Sequence, residues 1–317
     1  MKHVLVLGGG PDREREVSLN SSRAIADALE RFGYRVRYEV IERIGVRELR
    51  ALPGEVVFPA LHGAFGEGGP LQEIMELDGR PYVGSRARAA RAAMDKMASK
   101  LEAARLGIPT AEACVVNRSD SGLPIPIPLV MKPVHDGSSV GLHLCEDDAA
   151  YERARHEVDR DIDENPGRAY IAERMISGRE LTQTLIAEDD GGDLEAMDAI
   201  EIVPAEGAYD YDAKYVRNDT RYVVKPDLPG GLAGELQAWS VRLARSMAVR
   251  HVCRVDYLLE QGADGVRAWF LEINTMPGFT DHSLVPKAAA YRGIDMGTLC
   301  DRLVRAASRD HMPGGGR

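Results

Sequence analysis

Val4–Leu7 form an unbroken apolar run that is cut off by Gly8-Gly9-Gly10-Pro11 and followed by residues at helical spacing. A run this short, with no polar residue alternating through it, reads as a strand buried on both faces. Such strands occur almost only in parallel sheets covered by helices. The pattern then repeats. Leu19, Ile25, Ala26 and Leu29 give residues 18–32 a helical face that Gly33 stops. YRVRYEV alternates as a strand, EVVFPAL is a second buried run, and Pro70 opens a helix that ends at Gly79. Strand–helix–strand order predicts an α/β fold with a parallel sheet over residues 1–84. The opening run is too short for a secretory signal, and no apolar stretch approaches membrane-spanning length.

A second region, 85–176, begins with an alanine-rich stretch, residues 86–106, that predicts one long helix ended by Gly107 and Pro109. The strand PLVMKP runs into HDGSSVG, a helix is expected over 147–158, and YIAERMI reads as a strand. In the third region, 177–309, RELTQTLIAED and LEAMDAIEIVP predict a hairpin through Gly191-Gly192. A polar, tyrosine-rich loop follows (209–222), then a helix over 234–250 and two strands, VCRVDYLLE and VRAWFLEIN. The glycine-rich residues 310–317 predict a disordered tail.

The 317 residues carry a formal net charge of -10, which argues against a nucleic-acid partner while leaving room for a local nucleotide pocket. Cys114, Cys145, Cys253 and Cys300 are scattered with no CxxC pair. They predict buried thiols in a reducing, cytoplasmic setting rather than a disulfide framework or a zinc site.

Two glycine loops bear on chemistry. GGGPDR lacks the third glycine of a dinucleotide fingerprint, because Arg13 stands there, so a tight strand–helix turn is the better reading. Lys132 ends a strand before Asp136-Gly137-Ser138-Ser139-Val140-Gly141, whose backbone N–H groups are suited to wrap phosphate oxygens. No G-K-[ST] closes this loop, and alone it reads as an ordinary turn. Near the C-terminal end, Arg254 and Asp256 lie two apart on one strand, as do Glu272 and Asn274 on the next. Each pair therefore shares a face. Hard oxygen donors of this kind suit magnesium shared with nucleotide phosphates. Either strand alone reads as a solvated face; together with Lys132 and the Gly/Ser loop, the metal–nucleotide reading overtakes that one. Asn274 opens a loop in which Gly278 lets a backbone N–H approach a ligand.

Taken in order, EREVSLNS (14–21), ALHGAFGEGGPLQ (60–72), MDKMASK (94–100), MKPVHDGSSVG (131–141), ERMISGRELT (173–182), YDYDAKY (209–215), CRVDYLL (253–259) and LEINTMPGFTDHSLVP (271–286) resemble the D-alanine–D-alanine ligases of the ATP-grasp superfamily. The resemblance runs from Val4 to about Leu303. It implies a Rossmann-like first domain before an ATP-grasp fold of two domains that clasp ATP between sheets, and a homodimer formed through the first domain.

By motif position the resemblance gives Lys96, Lys132 and, from a closing loop, Lys214 to the ATP phosphates. It places Ser138 and Ser139 in the phosphate loop, Glu173 at the adenine side and Glu180 at the ribose. Asp256, Glu272 and Asn274 match ligands of magnesium or manganese, two ions being expected. Glu14 matches the anchor of the first amino acid's ammonium, in a set with Ser138 and Tyr215, and His62 lies near that subsite. Arg254 and the Gly278 N–H match an oxyanion hole; Ser283 and the Leu284 N–H match a grip on the second carboxylate.

The implied reaction joins two D-alanines through an acyl phosphate, for cell-wall precursor synthesis. A carboxylate must be activated in this way before an amine can displace one of its oxygens, and a lid over 209–222 would exclude water. Tyr215 resembles the dipeptide-forming group. Gly68, Pro70 and Asp281 depart from common residues of the family, which bears on substrate preference and loop closure. Alternatives are a different second substrate, a nucleotide-binding protein that has lost catalysis, and, from GGGP alone, a dehydrogenase.

Overall fold

The computed structural model describes residues 2–119, 122–137, 140–189, 193–205, 219–263 and 265–311. β1 (His3–Gly9), β2 (Arg35–Ile41) and β3 (Val56–Pro59) form a parallel sheet in the order β2-β1-β3. The continuous apolar run of β1 has a direct cause. Val4 and Val6 enter one core with Ile25 and Leu29, while Leu5 and Leu7 enter another with Ile41, Leu49 and Leu71. A strand feeding two cores has no wet face on which to alternate.

The helix Arg15–Phe32 ends where Gly33 adopts φ 107°, a left-handed conformation that lets its N–H bond to Leu29 and Glu30 carbonyls. The helix Pro70–Asp78 begins with proline at its first position, after Gly69 at φ 112°. Gln72 ties this turn down, accepting from Gly69 N–H at 3.1 Å and donating to the Gly66 carbonyl at 2.7 Å. The departures at Gly68 and Pro70 therefore sit in a well-bonded helix start.

The stretch 86–106 is two helices rather than one, Ala87–Met94 and Lys96–Arg105. Asp95 breaks it, because its carboxylate accepts from Ala98 N–H at 2.9 Å and caps the second helix. β4 (Ala113–Val115), β5 (Leu129–Pro133), β6 (His143–Cys145) and β7 (Tyr170–Arg174) form an antiparallel sheet in the order β4-β7-β5-β6. The helix Asp148–Glu164, longer than expected, packs Ala154 and Val158 against Leu129, Met131 and Tyr170.

The third sheet contains β8 (Arg179–Ala187), β9 (Leu194–Ala196), β10 (Ile200–Val203), β11 (Arg221–Val224), β12 (Val252–Gly262) and β13 (Gly265–Asn274), ordered β11-β10-β8-β12-β13 with β9 also on β8. The expected hairpin partner of β8 is interrupted. The Met197 carbonyl accepts from Gln183 and Gln237 side chains at 2.6 and 3.1 Å, which splits the strand into β9 and β10. Gly191 and Gly192 lie outside the described residues. The helix Leu232–Ser246 covers one face, with Leu236 and Leu243 against Val255 and Tyr257.

The helices Leu284–Tyr291 and Met296–Asp310 return to the first sheet, placing Val285, Leu299 and Leu303 in the core of Val4 and Val6. Asp310, expected to begin the tail, ends this last helix and binds His251, while residues 312–317 lie outside the described residues. Cys145, Cys253 and Cys300 are buried and Cys114 is half-buried, all as free thiols. Among the described residues no helix is long and apolar enough to cross a membrane.

Candidate active site

The antiparallel register of β12 and β13 sets Arg254 opposite Asn274 and Asp256 opposite Glu272, before a bulge that follows Asp256. Cross-strand partners point to the same side, so these four side chains share one face of the sheet. The opposite face carries Cys253, Val255, Tyr257 and Ile273 into the core. Arg254 grips Asp256 through two bonds, Nε to Oδ1 at 2.9 Å and Nη2 to Oδ2 at 2.8 Å. Thr182, opposite Asp256 on β8, donates to Oδ1 at 2.6 Å. The register also places Glu180 two residues along β8 from Thr182, on the same face. Asn274 Oδ1 accepts from Met276 N–H at 2.8 Å, which turns the chain out of β13.

A second set of charges is buried at the antiparallel sheet of β4–β7. Glu173 on β7 sits between two ammonium groups, ion-paired to Lys132 of β5 and, at 2.9 Å, to Lys100. All three side chains are nearly inaccessible. Burial alone would raise the Glu173 carboxyl, yet Lys132 and Lys100 overcome it and hold the group down at about 2. Burial pushes the Lys100 ammonium down, against the attraction of Glu173. Lys100 was absent from the sequence-derived site; one turn after Lys96 on the same helix, it had only helical spacing to mark it. Lys96 itself donates to the Asp136 carbonyl, at the entrance of the Gly/Ser loop.

Glu272 and Asn274 of the first set line a cavity together with Glu67, Met94, Lys96 and Gly137. Glu14 reaches it from the start of the helix Arg15–Phe32. A side chain built at Gly137 would lie 3.4 Å from the Glu14 carboxylate. Glu67 is a second residue that sequence reading did not single out. It is buried, accepts from Gly63 N–H at 3.0 Å, and is pushed well above the usual carboxylate range by burial and by the nearby charge of Glu14. The acidic residue in GAFGEGGP was visible in the sequence, but nothing marked it as facing Glu14.

His62, also buried, lies within 3.0 Å of the Met276 carbonyl, which fixes the loop leaving β13. In that loop Gly278 packs so close to Ser283 that an added side-chain carbon would stand 2.8 Å from Oγ. Ser283 Oγ accepts from Thr280 N–H at 2.9 Å, and Ser283 precedes the helix that Leu284 begins. Ser138, Ser139, Lys214 and Tyr215 lie outside the described residues, as do residues 206–218 of the expected lid; β11 forms its far end. Of the remaining sequence-derived residues, Lys96, Glu272 and Asn274 line the cavity, Glu14 lies beside it, and Arg254 and Asp256 share the face of Glu272 and Asn274, while Lys132 and Glu173 pair with each other in a separate buried set.

Against known proteins, the profile described as D-ala D-ala ligase C-terminus matches residues 105–305. A D-alanine--D-alanine ligase of Sinorhizobium fredii is 38% identical over 310 residues, which span 97% of this chain and 98% of that one. The chain belongs to the D-alanine–D-alanine ligase family. Solved structures agree on the ATP-grasp ligase fold. The VanG D-Ala:D-Ser ligase of Enterococcus faecalis superposes with a TM-score of 0.80 at 24% identity, over 96% of this chain and 99% of its own. A D-alanine--D-alanine ligase of Bacillus anthracis, complexed with ATP, gives 0.80 at 24% identity over 98% and 99%. In this ligase the family's fold therefore brings Arg254, Asp256, Glu272 and Asn274 onto one face, with Lys96 and Glu14 across the cavity.

Proposed function

We propose that the chain joins two D-alanines into D-alanyl-D-alanine while converting ATP to ADP and phosphate, through a D-alanyl phosphate. The observation that carries this reading is the register of β12 and β13, which sets Arg254–Asp256 against Asn274–Glu272 in a member of this ligase family. The first carboxylate attacks the γ-phosphorus of ATP, and the second amine attacks the resulting acyl carbon and expels phosphate. Lys96, Lys132 and Lys214 offset phosphate charge. Glu173 is assigned to the adenine side, Glu180 to the ribose, and Ser138 and Ser139 to the phosphate loop. Glu14, with Ser138 and Tyr215, holds the first ammonium next to His62. Arg254 and the Gly278 N–H face the developing oxyanion; Ser283 and the Leu284 N–H hold the second carboxylate.

A divalent metal is part of this reading. Among the described residues no cluster of three or more His, Cys, Asp or Glu side chains is placed to hold a metal, so a soft-metal or zinc site has no support there. Asp256, Glu272 and Asn274 instead offer two carboxylates and an amide oxygen, a hard and incomplete set that suits magnesium completed by phosphates and water. The Arg254 and Thr182 bonds hold the Asp256 carboxylate in place on that face. Magnesium bound there would neutralise charge on the transferred phosphoryl group. We read the protein as a cytoplasmic homodimer joined through residues 1–84, as the family resemblance implies.

The test is phosphate release from ATP and magnesium with D-alanine alone, beside L-alanine, D-lactate and D-alanine plus D-serine. Release with D-alanine alone, and D-alanyl-D-alanine in the mass spectrum, are expected. No stimulation by D-alanine overturns the substrate assignment. D-alanyl-D-serine as the main mixed product moves the second site to serine.

A further inference from the structure

The helix Arg15–Phe32 fully buries three serines, Ser18, Ser21 and Ser22, among residues that are otherwise apolar. A buried hydroxyl is kept where it is bonded. The first region accounts for two of them. Ser18 Oγ accepts from Gly9 N–H at 2.9 Å and donates to the Ala60 carbonyl at 2.6 Å. Ser22 Oγ donates to the Leu19 carbonyl at 3.1 Å and lies 3.3 Å from the Tyr38 hydroxyl. Ser21 reaches out of the first region instead. Its Oγ accepts from Phe279 N–H at 3.1 Å, in the loop that leaves β13.

That loop shows what the bond does. Met276 N–H is taken by Asn274, Thr280 N–H by Ser283, and Pro277 has no N–H to offer. Among the described residues the Gly278 N–H has no partner, while Gly278 itself is partly exposed. Glycine resists few backbone angles, so its neighbours must set the direction of this N–H. Pro277 restrains one side. On the other, Ser21 holds the Phe279 peptide, and the Phe279 ring is buried against Phe58 with centroids 5.9 Å apart. A carbon added at Gly278 would stand 3.8 Å from Ser21 Oγ, so the hydroxyl also packs against this residue. Ser21 follows Glu14 by seven residues, about two helical turns, and so lies below it on the same side of the helix.

We propose that Ser21 is a positioning residue for the second half of the reaction. By holding the Phe279 peptide it fixes the Gly278 N–H, in register with the first amino acid anchored by Glu14 on the same helix. This rests on the ligase reading above. In the first half a carboxylate oxygen attacks phosphorus, and no new charge develops on the carbonyl carbon's oxygen. In the second half the amine attacks that carbon, and its oxygen takes up the electron pair that the Gly278 N–H receives. Ser21 therefore bears on dipeptide formation and not on phosphoryl transfer.

The experiment mixes excess protein with ATP, magnesium and D-alanine, quenches within one turnover, and measures ADP and D-alanyl-D-alanine. Ser21→Ala is expected to slow dipeptide formation by about 10²-fold and ADP formation by less than about threefold, since a misplaced donor costs only the step that uses it. Retained ADP formation also reports a folded, ATP-binding protein. Ser21→Cys keeps nearly the same size with a weaker acceptor; it is expected to show the same split with a smaller loss, and it carries the test if the alanine variant does not fold. Ser22→Ala removes an equally buried hydroxyl that does not reach the loop, and is expected to leave both rates near wild type. ADP and dipeptide slowed alike by the Ser21 variants, or dipeptide formation unchanged, overturn the proposal. A dipeptide loss as deep in Ser22→Ala overturns it in favour of general packing of the helix. A wild-type chain that forms no dipeptide from D-alanine fails at the ligase reading itself.

Discussion

At the scale of single residues, Glu173 sets one negative charge between two buried ammonium groups. Removing one member of such a set leaves the others uncompensated in a low-dielectric interior. Glu173→Gln is therefore expected to destabilise the chain by about 3–5 kcal/mol and to weaken ATP binding. Urea unfolding at pH 7 and ATP titration read the two effects. The pH dependence has a definite sign. The folded carboxyl is held at about 2 against an ordinary 4.5, so below 4.5 the unfolded chain takes up the proton first. The stability that Glu173 contributes is complete above 4.5 and is lost as pH falls towards 2. The gap between wild type and variant should narrow over that window; a constant gap would remove the triad from the account.

At the scale of elements, Asp95 does two jobs. It ends the helix Ala87–Met94 and caps the helix Lys96–Arg105, and so turns Lys96 towards the Gly/Ser loop. Asp95→Ala is expected to cost about 1 kcal/mol of stability and, because the two helices are then free to merge, to raise KM for ATP more than it lowers kcat. Thermal melting and steady-state kinetics decide this. A KM for ATP that stays unchanged would mean that Lys96 is placed by its own contacts alone. The strands show the same economy. β12 and β13 put their apolar alternates into one core and their polar alternates onto the site face, so one period-two pattern serves both stability and chemistry.

At the scale of the molecule, His251 joins parts of the chain that are distant in sequence. Gly84 N–H donates to its Nδ1 at 2.9 Å, and its Nε2 donates to Asp310 at 3.1 Å. The link holds the end of the first region to the start of β12 and to the last helix. Burial, with the nearby Arg250 and Arg309 charges, lowers the ring's pKa despite the attraction of Asp310. The folded state keeps the ring neutral, while the unfolded chain takes up a proton below 6.5, so stability is present above 6.5 and falls as pH drops through it. His62 adds to the same trend between 6.5 and about 4. Melting temperature should fall from pH 7 to 5 in the wild type. His251→Asn should be less stable at pH 7, with a flatter profile, and an unchanged slope would refute the role.

Much of the protein was legible from local pattern. Val4–Leu7 announced a strand with two covered faces, and the period of two in CRVDYLLE and WFLEIN grouped Arg254 with Asp256 and Glu272 with Asn274. These follow from alternation along a strand, which is a property of the backbone. The sequence by itself also determined the family, through the ordered motifs from Glu14 to Leu284. What it could not supply were contacts whose partners lie far apart in the chain. Lys100 and Lys132 enclosing Glu173, Glu67 brought beside Glu14, His62 held by Met276 and His251 tied to Gly84 and Asp310 have no local signature. The break at Asp95 was hidden because alanine-rich residues on both sides favour helix; the Asp95 cap and the pairing of Lys96 N–H with the Val134 carbonyl show where the second helix starts. Periodicity decides which face of an element is buried; only tertiary packing decides which charges share that burial, because a buried charge is tolerated only where its partner arrives.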